Sequence, residues 1–211
     1  THILYLASGD KSGHEVCPNR TEACFKYCLD NAGRGRMQSV IAGRMRKTRL
    51  YFNSPPMFNA LLNKEVHRAI ANKHKRNLDL CFRLDGTSDL GFGIKAAKAH
   101  PTAQFYDYTK NPKTMRKFAA GELPRNYHIT FSHSEKNRDD CRWALENGVN
   151  VAVPFVGDWN GSSYPETFLG FPTIPGDEHD LRFLDPSPAV VALKAKGYLS
   201  KDYSGFAVRP N

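Results

Sequence analysis

Between residues 78 and 155 the sequence alternates short apolar runs with short amphipathic segments, and this alternation limits the fold more than any other feature. Residues 78–84, 103–108, 126–131 and 149–155 read as strands, rich in aromatic and β-branched side chains. Residues 92–99, 112–120 and 138–147 carry apolar side chains at helical spacing. Apolar strands separated by helices build a parallel sheet with crossover helices. A strand at 1–7 precedes the series and one at 190–194 ends it, with a Gly/Ser/Pro-rich loop and a small insertion between. Six or so strands in one linear order suit a partial (β/α) barrel, mostly parallel, at least as well as a doubly wound sheet. Two helices lie between the first strand and the series. The first, 37–52, is expected to bury Val40, Ile41, Met45 and Leu50. The second opens at Asn53-Ser54-Pro55-Pro56 and runs to about Lys75, with Phe58, Leu61, Leu62, Val66 and Ile70 facing inward.

At 211 residues, 40% hydrophobic and 24% charged, the composition is that of one globular domain, 1–211, with a real core. No apolar run approaches the roughly 18 residues of a membrane span, so no membrane partner is expected. Five cysteines, an odd number and clustered, speak for a reducing compartment, read here as the cytoplasm. The net charge of +9 is concentrated in one stretch. Arg34, Arg36, Arg44, Arg46, Lys47 and Arg49 lie there, followed by Lys73, Lys75 and Arg76. Such a stretch suits a polyanion, most simply nucleic acid, although a solvated helical face has the same composition. The oligomeric state is not legible.

A loop covering residues 14–36 carries the densest chemistry. Cys17-x6-Cys24-x3-Cys28 follows the first strand. Thiolates at this spacing are poor core residues and good ligands for a soft metal or an iron–sulfur cluster. A closed zinc site needs four ligands, whereas a cubane on three cysteines keeps one iron open. His14 and Cys81 are the candidates for a fourth ligand, while Cys141 reads as a core thiol.

The strand ends are polar in turn: Arg83-Leu84-Asp85-Gly86-Thr87-Ser88-Asp89, then Asp107-Tyr108-Thr109-Lys110, then Ser132-His133-Ser134-Glu135. Ligands bind at the carboxyl ends of parallel strands, and the cysteine loop is expected to open on the same rim. Asp85, Thr87, Ser88, Asp107, Lys110 and Ser132 are therefore candidates to line a cofactor or substrate pocket. The run Gly176-Asp177-Glu178-His179-Asp180 is read as a hydrogen-bonded turn with a salt bridge to Arg182, since adjacent side chains diverge. No Ser-His-Asp grouping, phosphate-cradling glycine loop or zinc-protease helix is present, so no catalytic residue is assigned.

On these residues the chain resembles the phage-encoded gene-product-88 family, itself similar at a distance to radical S-adenosylmethionine enzymes of the spore-photoproduct-lyase type. The likeness is carried by the three cysteines, Tyr27 before the last of them, Ala32-Gly33-Arg34-Gly35, the segments 82–89 and 104–112, and the run 176–180. The resemblance implies a radical-enzyme-like partial barrel in the cytoplasm of a phage-carrying host. It also implies a [4Fe–4S] cluster on Cys17, Cys24 and Cys28, with S-adenosylmethionine on the open iron and Tyr27 against its adenine. The cysteine spacing departs from the radical enzymes' x3 then x2. The leading expectation is an iron–sulfur protein, an enzyme if the radical chemistry is retained, acting on nucleic acid or a nucleotide. The alternative is a non-catalytic nucleic-acid-binding protein whose cysteine loop is stapled by zinc. A protein-interaction role without any ligand is the third reading.

Overall fold

The computed structural model describes residues 1–76, 79–157 and 164–209, with the side chains of 74–76 outside the description. Its strands are β1 (His2–Ile3), β2 (Cys81–Arg83), β3 (Gln104–Thr109), β4 (Tyr127–Ser132), β5 (Val151–Phe155), β6 (Thr167–Phe168), β7 (Phe171–Pro175) and β8 (Val190–Lys194). They are ordered β1-β2-β3-β4-β5-β8-β7-β6 in one sheet that does not close into a barrel. The pairs β1–β2, β2–β3, β4–β5, β5–β8 and β7–β8 are parallel, and β6–β7 is antiparallel. The helices are α1 (Gly9–Ser12), α2 (Glu22–Lys26), α3 (Gln38–Asn53), α4 (Pro55–Arg76), α5 (Phe92–Ala99), α6 (Pro112–Ala119) and α7 (Arg138–Glu146). The mostly parallel α/β architecture expected from the alternation is present. Residues 77–78, at the start of the strand expected over 78–84, and most of the Gly/Ser/Pro-rich loop lie outside the described residues.

The chain groups into two compact units: Thr1–Pro18 with Cys28–Asp107 and Leu123–Tyr127, and Asn19–Tyr27 with Tyr108–Glu122 and His128–Asn211. In the first unit the core is aromatic. Tyr51, Phe58 and Phe92 meet with ring centroids 5.1–5.3 Å apart, and Phe82 stacks on Phe105 at 5.0 Å. The expected strand over 1–7 contracts to β1, extended by one bond from the Leu4 amide to the Arg83 carbonyl (3.0 Å). The chain turns into α1 soon after, with Ser8 as its N-cap.

Helix α3 corrects the expected stripe. Val40, Ile41, Met45 and Leu50 are only half-buried, and the one buried residue is Thr48. Its hydroxyl donates to the Arg44 carbonyl (3.0 Å) and accepts from the Ala7 amide (2.9 Å), so α3 docks through this hydrogen bond and the Tyr51 ring instead of an aliphatic seam. Helix α4 starts at its prolines as expected. Phe58 and Val66 are buried, and Leu62 and Ile70 half-buried, along an i, i+4 line. Leu61 lies off that line and is 43% exposed, against expectation.

The second unit has an aliphatic core: Ile129, Phe131, Val151, Val153, Phe155, Val190 and Val191 from the strands, and Met115, Cys141, Ala144 and Leu145 from the helices. Asn111 caps α6 by accepting from the amides of Lys113 (3.0 Å) and Thr114 (3.4 Å), and Pro112 occupies its first turn. The insertion after β5 is the hairpin β6–β7, closed by Leu169 (φ 57°) and Gly170 (φ 86°). Two consecutive positive φ values match the right-handed twist of the paired strands, and only Gly170 adopts one without steric cost.

Candidate functional site: the cysteine loop and the strand ends

In the first unit the loop after β2 is organised by two buried carboxylates. Asp85 accepts from Ser88 Oγ (2.7 Å) and from the amides of Leu90 (3.0 Å) and Phe92 (2.9 Å), which sets the start of α5. Asp107 accepts from the Asp85 amide (2.7 Å) and from the Tyr127 hydroxyl (3.3 Å). Burial raises the Asp85 carboxyl above its ordinary range. Burial and then the neighbouring Asp85 charge push Asp107 well above it. Burial, then the Asp107 charge, does the same to the Tyr127 phenol. The pair fits only because position 93 is glycine. A Cβ there would stand 2.2 Å from Asp107 Oδ2 and 2.5 Å from Tyr127 Cε2.

The side chains of Asp85, Thr87, Ser88 and Asp107 are all buried, and Thr87 Oγ1 donates to the Leu6 carbonyl (2.7 Å). Their polar atoms frame the strand ends from within. The main chain of the same loop meets the cysteine loop: the Cys17 thiol donates to the Thr87 carbonyl (3.7 Å), and the Asp89 amide donates to the Val16 carbonyl (2.8 Å). Cys17 thus sits at the carboxyl end of β2, as the sequence led us to expect. Cys81 begins β2, at the opposite end, with its sulfur 3.1 Å from Thr1 Oγ1. His14 stacks on Phe52 with centroids 4.2 Å apart.

The exit of the cysteine loop is held by Asp30, which is fully buried. Cys28 opens a 3-10 turn, Leu29–Asn31, by accepting from the Asn31 amide (2.9 Å). Asp30 inside that turn accepts from the Ser8 amide (3.0 Å) and Ser8 Oγ (2.7 Å), and pairs with Lys11 (3.1 Å) and with Arg44 Nη1. Burial alone would raise its pKa, but the Ser8 bonds and the two cations outweigh it and leave the pKa lowered. Arg44 also lies over the Tyr5 ring at 4.7 Å. It is therefore part of the scaffold and not of the exposed basic stretch. Lys47 is half-buried, its pKa lowered by burial and then by Arg44, whereas Arg34, Arg36, Arg46 and Arg49 are exposed. Of the later cations, Lys73 is half-buried, and the side chains of Lys75 and Arg76 lie outside the description.

In the second unit Cys24 lies in the five-residue helix α2, and Tyr27 is its C-cap. Thr21 caps the other end, its hydroxyl accepting from the Cys24 amide (3.3 Å). The same hydroxyl donates to Glu135 Oε2 (2.8 Å), and Glu135 Oε1 accepts from the Ala23 amide (3.3 Å). Glu135 follows β4, so α2 is clamped from a strand end. Nothing local in the sequence marks this contact. Lys110, 5.4 Å from the Phe206 ring centroid, and Ser132 are both half-buried at the ends of β3 and β4. His133 is buried against the Phe206 carbonyl (3.3 Å), and burial lowers its pKa to about 4. Cys141 is a core thiol as expected, its pKa raised by burial to about 12. The turn 176–180 is joined to Arg182 through its backbone: Arg182 donates to the His179 carbonyl and pairs with Asp185 beyond the turn (3.1 Å). Asp177 instead accepts from the Lys194 amide (2.7 Å) and Lys196 Nζ (2.5 Å), and Asp180 from the Tyr108 hydroxyl (3.3 Å).

Cys17, Cys24 and Cys28 are all half-buried, and none is joined in a disulfide. Among the described residues no three His, Cys, Asp or Glu side chains stand together as a ready-made metal site. No described helix is long and apolar enough to cross a membrane. A family model described as gene product 88 matches residues 2–210. No curated protein and no solved structure matches the chain.

Proposed function

On the premise that the chain belongs to this gene product 88 family, we propose that its three-cysteine loop ligates an iron–sulfur cluster. The observation that carries the reading is Cys17, a half-buried thiol pinned to the Thr87 carbonyl at the carboxyl end of β2. That is the end of a parallel strand where α/β folds bind ligands. Donor chemistry supports it: three thiols within one loop, each partly open to solvent, are suited to iron and oxidation-prone without a ligand.

Cys17, Cys24 and Cys28 would hold the cluster and leave one iron open, and a cluster reduced by an external electron donor would supply an electron to S-adenosylmethionine. Contact with that cofactor falls to the half-buried candidates Tyr27, Lys110 and Ser132, since Asp85, Thr87, Ser88 and Asp107 are committed inside the unit. The exposed Arg34, Arg36, Arg46 and Arg49 suit a nucleic-acid substrate.

The test is iron, sulfide and zinc analysis of protein purified without oxygen, with a visible spectrum of the same sample. About four irons and four sulfides per chain, lost in Cys24→Ala, are expected. Cleavage of S-adenosylmethionine after reduction then decides the radical chemistry. One zinc without sulfide overturns the cluster reading. It leaves the second reading, a zinc-stapled nucleic-acid-binding protein, which the four exposed arginines favour and which predicts affinity falling steeply with salt.

A further inference from the structure

We propose that Glu135 is the positioning residue that holds Cys24 as a ligand, and that its charge tunes the bound cluster. The inference rests on the cluster reading above. Helix α2 has five residues, far below the length at which a helix is stable by itself. Its N-terminal amides would therefore fray unless something outside the helix engaged them. Glu135 does so with both oxygens, Oε2 accepting from Thr21 Oγ1 and Oε1 from the Ala23 amide. The Thr21 hydroxyl passes the constraint on by accepting from the Cys24 amide. A continuous chain of hydrogen bonds thus runs from a residue after β4 to the backbone of the central cysteine.

A carboxylate is also favoured at a helix N-terminus by the helix dipole. The Glu135 carboxylate, one hydroxyl away from the Cys24 amide, would oppose the addition of an electron to anything Cys24 ligates. The contribution of Glu135 is therefore twofold: occupancy, through the direction of the Cys24 sulfur, and potential, through charge. Glu135 does not itself touch a reacting atom.

Wild type, Glu135→Ala, Glu135→Gln and Cys24→Ala would be reconstituted with iron and sulfide without oxygen. Iron content, the spin-resonance spectrum of the reduced protein and the reduction potential are read for each. Glu135→Ala is expected to lose several-fold in iron occupancy. Glu135→Gln retains an oxygen acceptor, so it keeps most of the occupancy and shifts the potential upward. A general loss of fold would not produce a full cluster with an altered potential. If Glu135→Ala does not fold, Glu135→Gln decides alone, and a wild-type potential in that variant overturns the proposal. Wild-type iron, spectrum and potential in both variants overturn it while leaving the cluster reading intact. Wild-type protein without iron and sulfide removes the cluster reading and this inference together.

Discussion

Replacing Asp30 by Asn removes one charge from the centre of a buried cluster without changing its shape. Asp30 is wholly buried, and the Lys11 and Arg44 side chains paired with it are 19% and 11% exposed. Breaking a buried ion pair from one side costs about 3–5 kcal/mol, mostly because the surviving charge is left uncompensated. Both cations retain some contact with solvent, which places the expected loss at the lower end, about 3 kcal/mol. For a chain of this size that corresponds to a fall of roughly 6–12 °C in Tm. Asn keeps a carbonyl oxygen for the Ser8 bonds, and its amide nitrogen faces Arg44, so the loss combines the charge with the Arg44 hydrogen bond. The pH dependence follows from linkage. The Asp30 pKa is lowered in the folded state, so its stabilisation is fully present above the unfolded value near 3.8 and is lost as pH falls through the folded one. Urea denaturation of wild type and Asp30→Asn between pH 7 and pH 3 should show a gap that is constant down to about pH 4 and narrows below it. A gap at pH 7 under about 0.5 kcal/mol, or one equally large at pH 3, would refute the buried-charge account.

Gly93→Ala drives a methyl group into Asp107 and Tyr127 and should cost about 2–3 kcal/mol by denaturant unfolding; an unchanged midpoint would mean that α5 shifts freely. Asp107→Asn should behave oppositely to Asp30→Asn. The Asp107 pKa is raised, so the folded state holds its proton longer and wild-type stability falls as pH rises above about 3.8. The variant should therefore gain on wild type between pH 4 and pH 7, and a parallel pair of curves would contradict this. Leu169→Asn relieves a non-glycine residue at φ 57° and should stabilise by about 1 kcal/mol, read as a small rise in Tm.

Elements whose ends carry their own signals were legible at the level of residues. Helix α5 and strand β8 have the expected bounds, and α6 and α7 end within a residue of them, because apolar period marks them locally and Asn111 caps α6. The hairpin β6–β7 was read only as an insertion, since Leu169 stands where turn chemistry would put asparagine or glycine. The seam of α3 was misread for a related reason. Periodicity detects aliphatic stripes, and this helix docks through the hydroxyl of Thr48 and the ring of Tyr51.

The sequence by itself determined the parallel α/β alternation, the family, and the candidate ligands, because each is written in residues close together along the chain. Which of those residues remain open to a ligand was decided only by tertiary structure. Asp85 and Asp107 look like pocket carboxylates in the sequence and are spent on backbone amides and a buried tyrosine. Arg44 looks like a phosphate contact and neutralises Asp30 instead. Glu135 carries no local signal and holds the helix of Cys24 from more than a hundred residues away. The physical reason is common to all three: a polar side chain's role is set by the partners that burial gives it, and burial is a property of the whole fold.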